Sequence, residues 1–290
     1  MLTTQKALAR LKTDIQLRGL SQGTLKVYTA SAQAFLDFCD RPVEELNEED
    51  VRRYLMNLID EKKLEPSTVN THSAAIRFFF AVTLNRTMNY LQIPRMKKPK
   101  KLPVVLTRDE VAELISQAST LKHKALLLTA YGSGLRVGEL VSLKTTDIES
   151  ESMRVFVRGA KGKKDHYTIL SEKSLLTLRD YWLKYKPKNP DAYIFPGSGN
   201  SGHLSVKAVS AAIDVALGRT GIQKKVTPHT LRHCFATHLL EDGCSLLQIK
   251  EMLGHASISS TVIYLHLANT TAGVKSPADK LTEKFGGRQL

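Results

Sequence analysis

Apolar positions in residues 1–94 recur three and four apart. Leu25, Tyr28, Ala32, Phe35 and Leu36 make one such stripe, and Val51, Tyr54, Leu55, Leu58 and Ile59 make another behind an Asn47 cap. Pro66 and Ser67 open a further helix carrying Ile76, Phe79 and Phe80, and Pro94 closes the region. The spacing predicts about four amphipathic helices in a small bundle. Its aromatic residues fall on the apolar stripes, which assigns them to the core rather than to a base-stacking surface.

The pattern then breaks. In RMKKPKKLPVV, Arg95 to Val105, five of the first seven residues are basic, and Pro99 and Pro103 exclude regular helix, so residues 95–106 read as an extended linker. Lys97, Lys98, Lys100 and Lys101 are its candidate phosphate contacts. A second domain, 107–290, opens on a capping box of Thr107 and Glu110. A buried helix follows around KALLLTAYGSGLRVGELVSLK, interrupted at Gly132 and Gly134. From Met153 to Leu170 two short β-rich runs flank a basic, glycine-containing turn, which predicts a β-hairpin. Residues 171–186 and 205–218 read as helices. Another is capped by Thr227, has Pro228 in its first turn and stops at Gly243; the next has Ser245 and Gln248 as a capping box and stops at Gly254. The expected fold is mainly α with a small β-hairpin, in two domains.

At 290 residues the chain can bury two cores. Its 42 Lys and Arg against 28 Asp and Glu leave a formal charge of +14, which favours a polyanionic partner: nucleic acid first, an acidic membrane surface second. No run approaches the roughly 20 apolar residues of a spanning helix, and residues 1–15 lack the features of a secretory signal. Cys39, Cys234 and Cys244 are sparse and odd in number, which suits a reducing cytoplasm. Cys234 and His238 share an i, i+4 spacing, but no second pair completes a metal site, so no metal is expected and Cys234 reads as a small buried thiol. The loop FPGSGNSGH fits no phosphate-cradling pattern.

The chemistry lies in four short stretches. Arg136 stands in GLRVGEL with Glu139 three residues on; His229 and Arg232 stand in HTLRH, three apart and so on one helix face; His255 stands in LGH beyond a helix end; and Tyr264 stands in STVIYLH. Taken singly, each has a bland reading: a surface ion pair, a packing histidine, a core tyrosine. In this order and spacing the set resembles the tyrosine recombinase family, the phage-integrase and Xer type of site-specific DNA recombinase. The helical region fits that family's core-binding domain by texture alone.

The resemblance implies a two-domain clamp on double-stranded DNA, with Arg136, His229, Arg232, His255 and Tyr264 catalytic. Two guanidiniums match the non-bridging oxygens of a phosphodiester, and with both present neither metal nor any other cofactor is required. Tyr264, ordinarily of pKa about 10, needs a base or a positive site; His229 is the candidate base or hydrogen-bonding partner and His255 a second phosphate donor. In the family a hairpin lysine protonates the leaving 5′ oxygen. Lys161 in GAKGKK is the match, with Lys163 and Lys164 as alternatives because Ala160 interrupts the usual Gly-Lys-Gly turn; Lys163 and Lys164 are also candidate DNA contacts. Glu139 would orient the arginines and histidine from behind. His233 reads as a packing histidine on another face of its helix, and His238 as structural.

The resemblance further implies a 3′-phosphotyrosyl intermediate, two chains per DNA site, four in a synapse, and a tail, 267–290, that packs on a neighbouring subunit and includes a short helix from Pro277 to Phe285. It leaves open integration or excision of a mobile element against resolution of DNA dimers. The rival readings are a non-catalytic architectural protein of the same fold and a relaxing topoisomerase of the same chemistry.

Overall fold

The computed structural model describes residues 3–89, 95–97, 102–159, 164–185, 192–197 and 202–268. The chain divides into two units, Met1–Lys101 and Leu102–Leu290, each with its own core.

In the first unit the apolar stripes form α1 (Thr4–Leu17), α2 (Gln22–Cys39), α3 (Glu48–Asp60) and α4 (Pro66–Phe78). Asn47 and Asp50 make a reciprocal capping box at the start of α3, so this helix begins where its first free N–H groups find acceptors. Leu11, Ile15, Phe35, Val51, Tyr54, Leu58, Ile76 and Phe79 fill the space between the helices, each buried; burial of a side chain of this size contributes about 1.5–3 kcal/mol. Phe35 meets Tyr54 edge to face, and the Tyr54 hydroxyl lies 3.0 Å from His72 Nδ1, so the aromatic residues are core as expected. The last helix widens into a π turn, Phe79–Thr83, which swings Phe79 and Phe80 inward.

The second unit begins with α5 (Arg108–Ser116), whose Thr107–Glu110 box forms as the sequence predicts. At its centre is α6 (Leu121–Ser133), with Ala125, Leu126, Leu127 and Ala130 buried. Here the expectation needs correction. The helix runs through Gly132 and is broken only at Gly134, which adopts φ 61° and presses on the Phe235 ring where a Cβ would clash. After the short α7 (Val137–Val141) comes a three-stranded antiparallel sheet of β1 (Ile148–Glu149), β2 (Arg154–Val157) and β3 (His166–Ile169). β2 and β3 are the predicted hairpin, in register Val155↔Thr168 and Val157↔His166. β1 escapes sequence reading because two residues carry no alternation.

Then follow α8 (Glu172–Tyr185), α9 (Val206–Leu217), α10 (Pro228–Glu241), α11 (Leu246–Met252) and α12 (Ser259–Val262), which runs on as a 3-10 turn, Ile263–His266. Phe235, Ala236, Ile249, Leu253 and Tyr264 form a satellite cluster where the last helices meet. Among the described residues no helix is long and apolar enough to cross a membrane. Lys98, Pro99, Lys100 and Lys101 of the basic linker, and the tail beyond residue 268, lie outside the described residues. Lys97 lies within them and is exposed.

Candidate active site

Arg232 is the centre of the site. The Thr227 cap and Pro228 fix the start of α10, and one turn later Arg232 points inward with only 3% of its surface exposed. Its fork reaches two backbone carbonyls: Nη1 donates to Gly134 at 2.7 Å and Nη2 to Leu253 at 2.5 Å. Gly134 ends α6 and Leu253 ends α11, so one guanidinium satisfies carbonyls at two helix carboxyl ends, where the backbone dipoles favour a cation. Burial and the nearby Arg136 charge pull its pKa to about 10, still cationic at neutral pH.

Arg136 caps α7 in an unusual exchange: its N–H donates to Glu139 Oε2 at 2.8 Å and its Nη1 to Glu139 Oε1 at 2.6 Å. Its Nη2 also reaches the Gly254 carbonyl at 3.4 Å. Glu139 Oε2 lies 3.5 Å from Arg232 Nη1, so one carboxylate bridges both arginines. Burial opposes ionisation of Glu139, but the Arg136 hydrogen bonds and the two positive charges outweigh it and hold its pKa below the usual carboxylate value. Two cations against one anion leave the pocket positive.

Tyr264, 2% exposed, sits on the turn after α12. Burial raises its pKa, while Arg232 and Arg136 act to lower it. Its hydroxyl is 3.1 Å from Nδ1 of His233. The hydroxyl's hydrogen-bond partner in the structure is therefore His233, read from the sequence as a packing histidine, and not His229. A helical wheel fixes where His229 and Arg232 lie relative to one another. It does not say where on α10 a turn thirty residues later will dock, and that turn settles over Phe235 and Ala236 with its hydroxyl at His233. His229 stands beside His233, ring centroids 6.5 Å apart. Burial, then Arg232 and Arg136, lower the pKa of His229; burial, then His229 and Arg232, lower that of His233. Both imidazoles are thus held neutral, the form that accepts a proton.

His255 follows Gly254 at the end of α11, and its Nδ1 is 2.9 Å from Thr261 Oγ1. The structure brings Arg136, Glu139, His229, Arg232 and Tyr264 into one electrostatic neighbourhood and places His255 on the backbone the arginines bond. Lys161 and Lys163 lie outside the described residues; Lys164 is exposed just before β3. Cys234 is buried and accepts the Leu106 N–H at 3.2 Å, and His238 is held by the Tyr131 hydroxyl and the Leu106 carbonyl, both structural as expected. Among the described residues no group of three or more His, Cys, Asp or Glu is placed to hold a metal ion. A further residue that motif reading misses is His166 on β3, whose ring senses the charges of Glu139, Arg136 and Arg232. The alternation of His166, Thr168 and Leu170 on the inner side of the strand was its only sequence signal.

A mainly helical chain that converges two carboxylate-bridged arginines and several histidines on a tyrosine has the architecture of a tyrosine recombinase. Residues 104–271 match the phage integrase family, and residues 8–90 match the phage integrase N-terminal SAM-like domain. An integrase/recombinase-type protein of Sinorhizobium fredii is 41% identical over 274 residues, 94% of this chain and 88% of that protein. The tyrosine recombinase XerA of Pyrococcus horikoshii is 33% identical over 274 residues, 94% of this chain and 92% of that protein. In fold, the chain resembles a lambda integrase tetramer bound to a Holliday junction, with TM-score 0.70 and 22% identity, over 94% of this chain and 79% of that one. The chain belongs to the phage integrase family, the tyrosine-type site-specific DNA recombinases.

Proposed function

We propose that this chain cleaves and rejoins double-stranded DNA with Tyr264 as its nucleophile. The observation that carries the reading is a tyrosine hydroxyl 3.1 Å from an imidazole, in a pocket made positive by two arginines sharing one carboxylate. Arg136 and Arg232 hold the non-bridging oxygens of the scissile phosphate and stabilise the charge that grows on them. Tyr264 attacks phosphorus; the Tyr264 O–P bond forms, the bond to the 5′ oxygen breaks, and the phenolic proton passes to His233, with His229 beside it. His255 is a second donor to the phosphate. The leaving 5′ oxygen takes its proton from Lys161, with Lys163 or Lys164 as alternatives. The 3′-phosphotyrosyl link conserves the bond energy, so a 5′ hydroxyl from a partner strand attacks it and releases Tyr264 without any external energy source.

In this reading residues 1–94 are a core-binding domain, 95–106 a basic linker that touches phosphate backbone through Lys97, Lys98, Lys100 and Lys101, and 107–290 the catalytic domain. Two chains occupy each DNA site and four make the synapse, with the tail 267–290 contacting a neighbouring subunit. The setting is integration or excision of a mobile element, or dimer resolution, in the cytoplasm. The test is trapping on a nicked duplex carrying the cognate site, taken from DNA flanking the gene. Wild type is expected to give a denaturant-resistant adduct without added metal, and Tyr264→Phe none. Equal binding by both proteins with no adduct from either would leave an architectural DNA-binding protein instead.

A further inference from the structure

β3 leaves the hairpin with His166, Thr168 and Leu170 on its inner side, and the first two grip the segments that hold Arg232. Thr168 Oγ1 donates at 2.8 Å to the Ser133 carbonyl, one residue before the Gly134 carbonyl that accepts from Arg232 Nη1. The His166 ring lies against Gly254, one residue after the Leu253 carbonyl that accepts from Arg232 Nη2. Gly254 is itself the backbone acceptor of Arg136. One strand therefore braces both backbone acceptors of the Arg232 fork and the Gly254 carbonyl that Arg136 uses.

The fit at Gly254 is tight. A Cβ there would come 2.5 Å from His166 Cε1 and 2.7 and 2.8 Å from its two ring nitrogens, and φ at Gly254 is +58°. The polar edge of the imidazole thus occupies room that only glycine leaves. Both ring nitrogens are sealed from solvent and, among the described residues, neither has a partner in hydrogen-bond geometry; the Lys164 backbone influences the ring only from outside that geometry. A buried nitrogen without a partner is unfavourable, so in this state the ring acts through its bulk and position.

We propose that His166 is a positioning residue for strand cleavage. Packed edge-on against Gly254, it fixes the Leu253–Gly254 backbone that both arginines bond, and with it the seating of their guanidiniums on the scissile phosphate. This rests on the reading of Arg136 and Arg232 as the phosphate-binding pair.

The test is single-turnover cleavage of the nicked cognate duplex by full-length wild type, His166→Ala, His166→Phe and Arg232→Ala, with either a phosphodiester or a methylphosphonate at the scissile position. The methylphosphonate lacks one non-bridging negative charge, so it depends less on the guanidiniums. His166→Ala is expected to cut the diester about 10²-fold more slowly, the order that a misplacement of about 1 Å costs. It should recover most of that deficit on the methylphosphonate, as Arg232→Ala should too. His166→Phe keeps the ring volume and should stay within about threefold of wild type on both substrates. The inference is overturned if Arg232→Ala recovers on the methylphosphonate and His166→Ala does not. It is also overturned if His166→Phe is as slow as His166→Ala, which would mean that the nitrogens themselves meet the phosphate. If wild type gives no adduct on the diester, or Arg232→Ala fails to recover, the reading of the arginines fails and this inference falls with it.

Discussion

Arg232 joins two helix ends and one carboxylate with a single side chain, so its replacement acts on stability and chemistry together. Arg232→Lys keeps the charge but loses the planar fork, leaving the Gly134 and Leu253 carbonyls with one donor group between them. We expect about 3 kcal/mol of lost stability in urea unfolding and cleavage slower by about 10²–10³-fold. Glu139 gives a prediction with a sign. Its folded pKa is depressed, so the stabilisation it contributes is complete above about pH 4.3, the ordinary carboxyl value, and is lost as pH falls through the lower folded value. Glu139→Gln should be less stable than wild type by about 1–3 kcal/mol at pH 7, with the gap closing in acid; a gap that ignores pH would show that charge is not what Glu139 contributes. If His233 receives the phenolic proton, cleavage rises with pH along a limb centred below about 6.5, the ordinary imidazole value, because burial, His229 and Arg232 lower its pKa. His233→Phe should abolish that limb in the pH–rate profile of adduct formation, while His229→Phe keeps it.

At the scale of elements, what the sequence made legible was local chemistry. The Thr107–Glu110 and Ser245–Gln248 boxes, the Thr227 cap with Pro228, and the stops at Gly243 and Gly254 all form where side-chain spacing places them, because each involves residues within one turn. The hairpin was readable for the same reason. Docking was not: His233 meets Tyr264, and His166 meets Gly254, through contacts between segments distant in sequence that no periodicity encodes. Gly132 was misread as a helix break because composition cannot tell a glycine that tolerates a helix from one that must end it. Gly134 is the one that must. Gly134→Ala would force a left-handed φ on alanine and drive a Cβ into Phe235, shifting the carbonyl that Arg232 bonds. We expect a loss of about 1–3 kcal/mol, seen as a lower Tm, with slower cleavage; an unchanged Tm would mean that the Phe235 ring simply moves aside.

Across the whole molecule, the excess of 42 basic over 28 acidic residues makes DNA affinity a matter of counterion release. For contacts to some 6–10 phosphates, affinity should drop by about 10³–10⁵ between 50 and 200 mM salt. Anisotropy titrations across that range would reveal it, and a flat response would refute broad backbone contact. The pocket that would act on this DNA has no local origin. Its parts come from the end of α6, the first turn of α7, the middle of α10 and the end of α11, and Arg232 reaches its low-solvent seat only when all four have docked. A full-length chain in which any one of these four segments is undocked holds the residues for cleavage without the seat that Arg232 needs. Loosening any one of them therefore unseats the guanidinium, which ties cleavage to an intact fold.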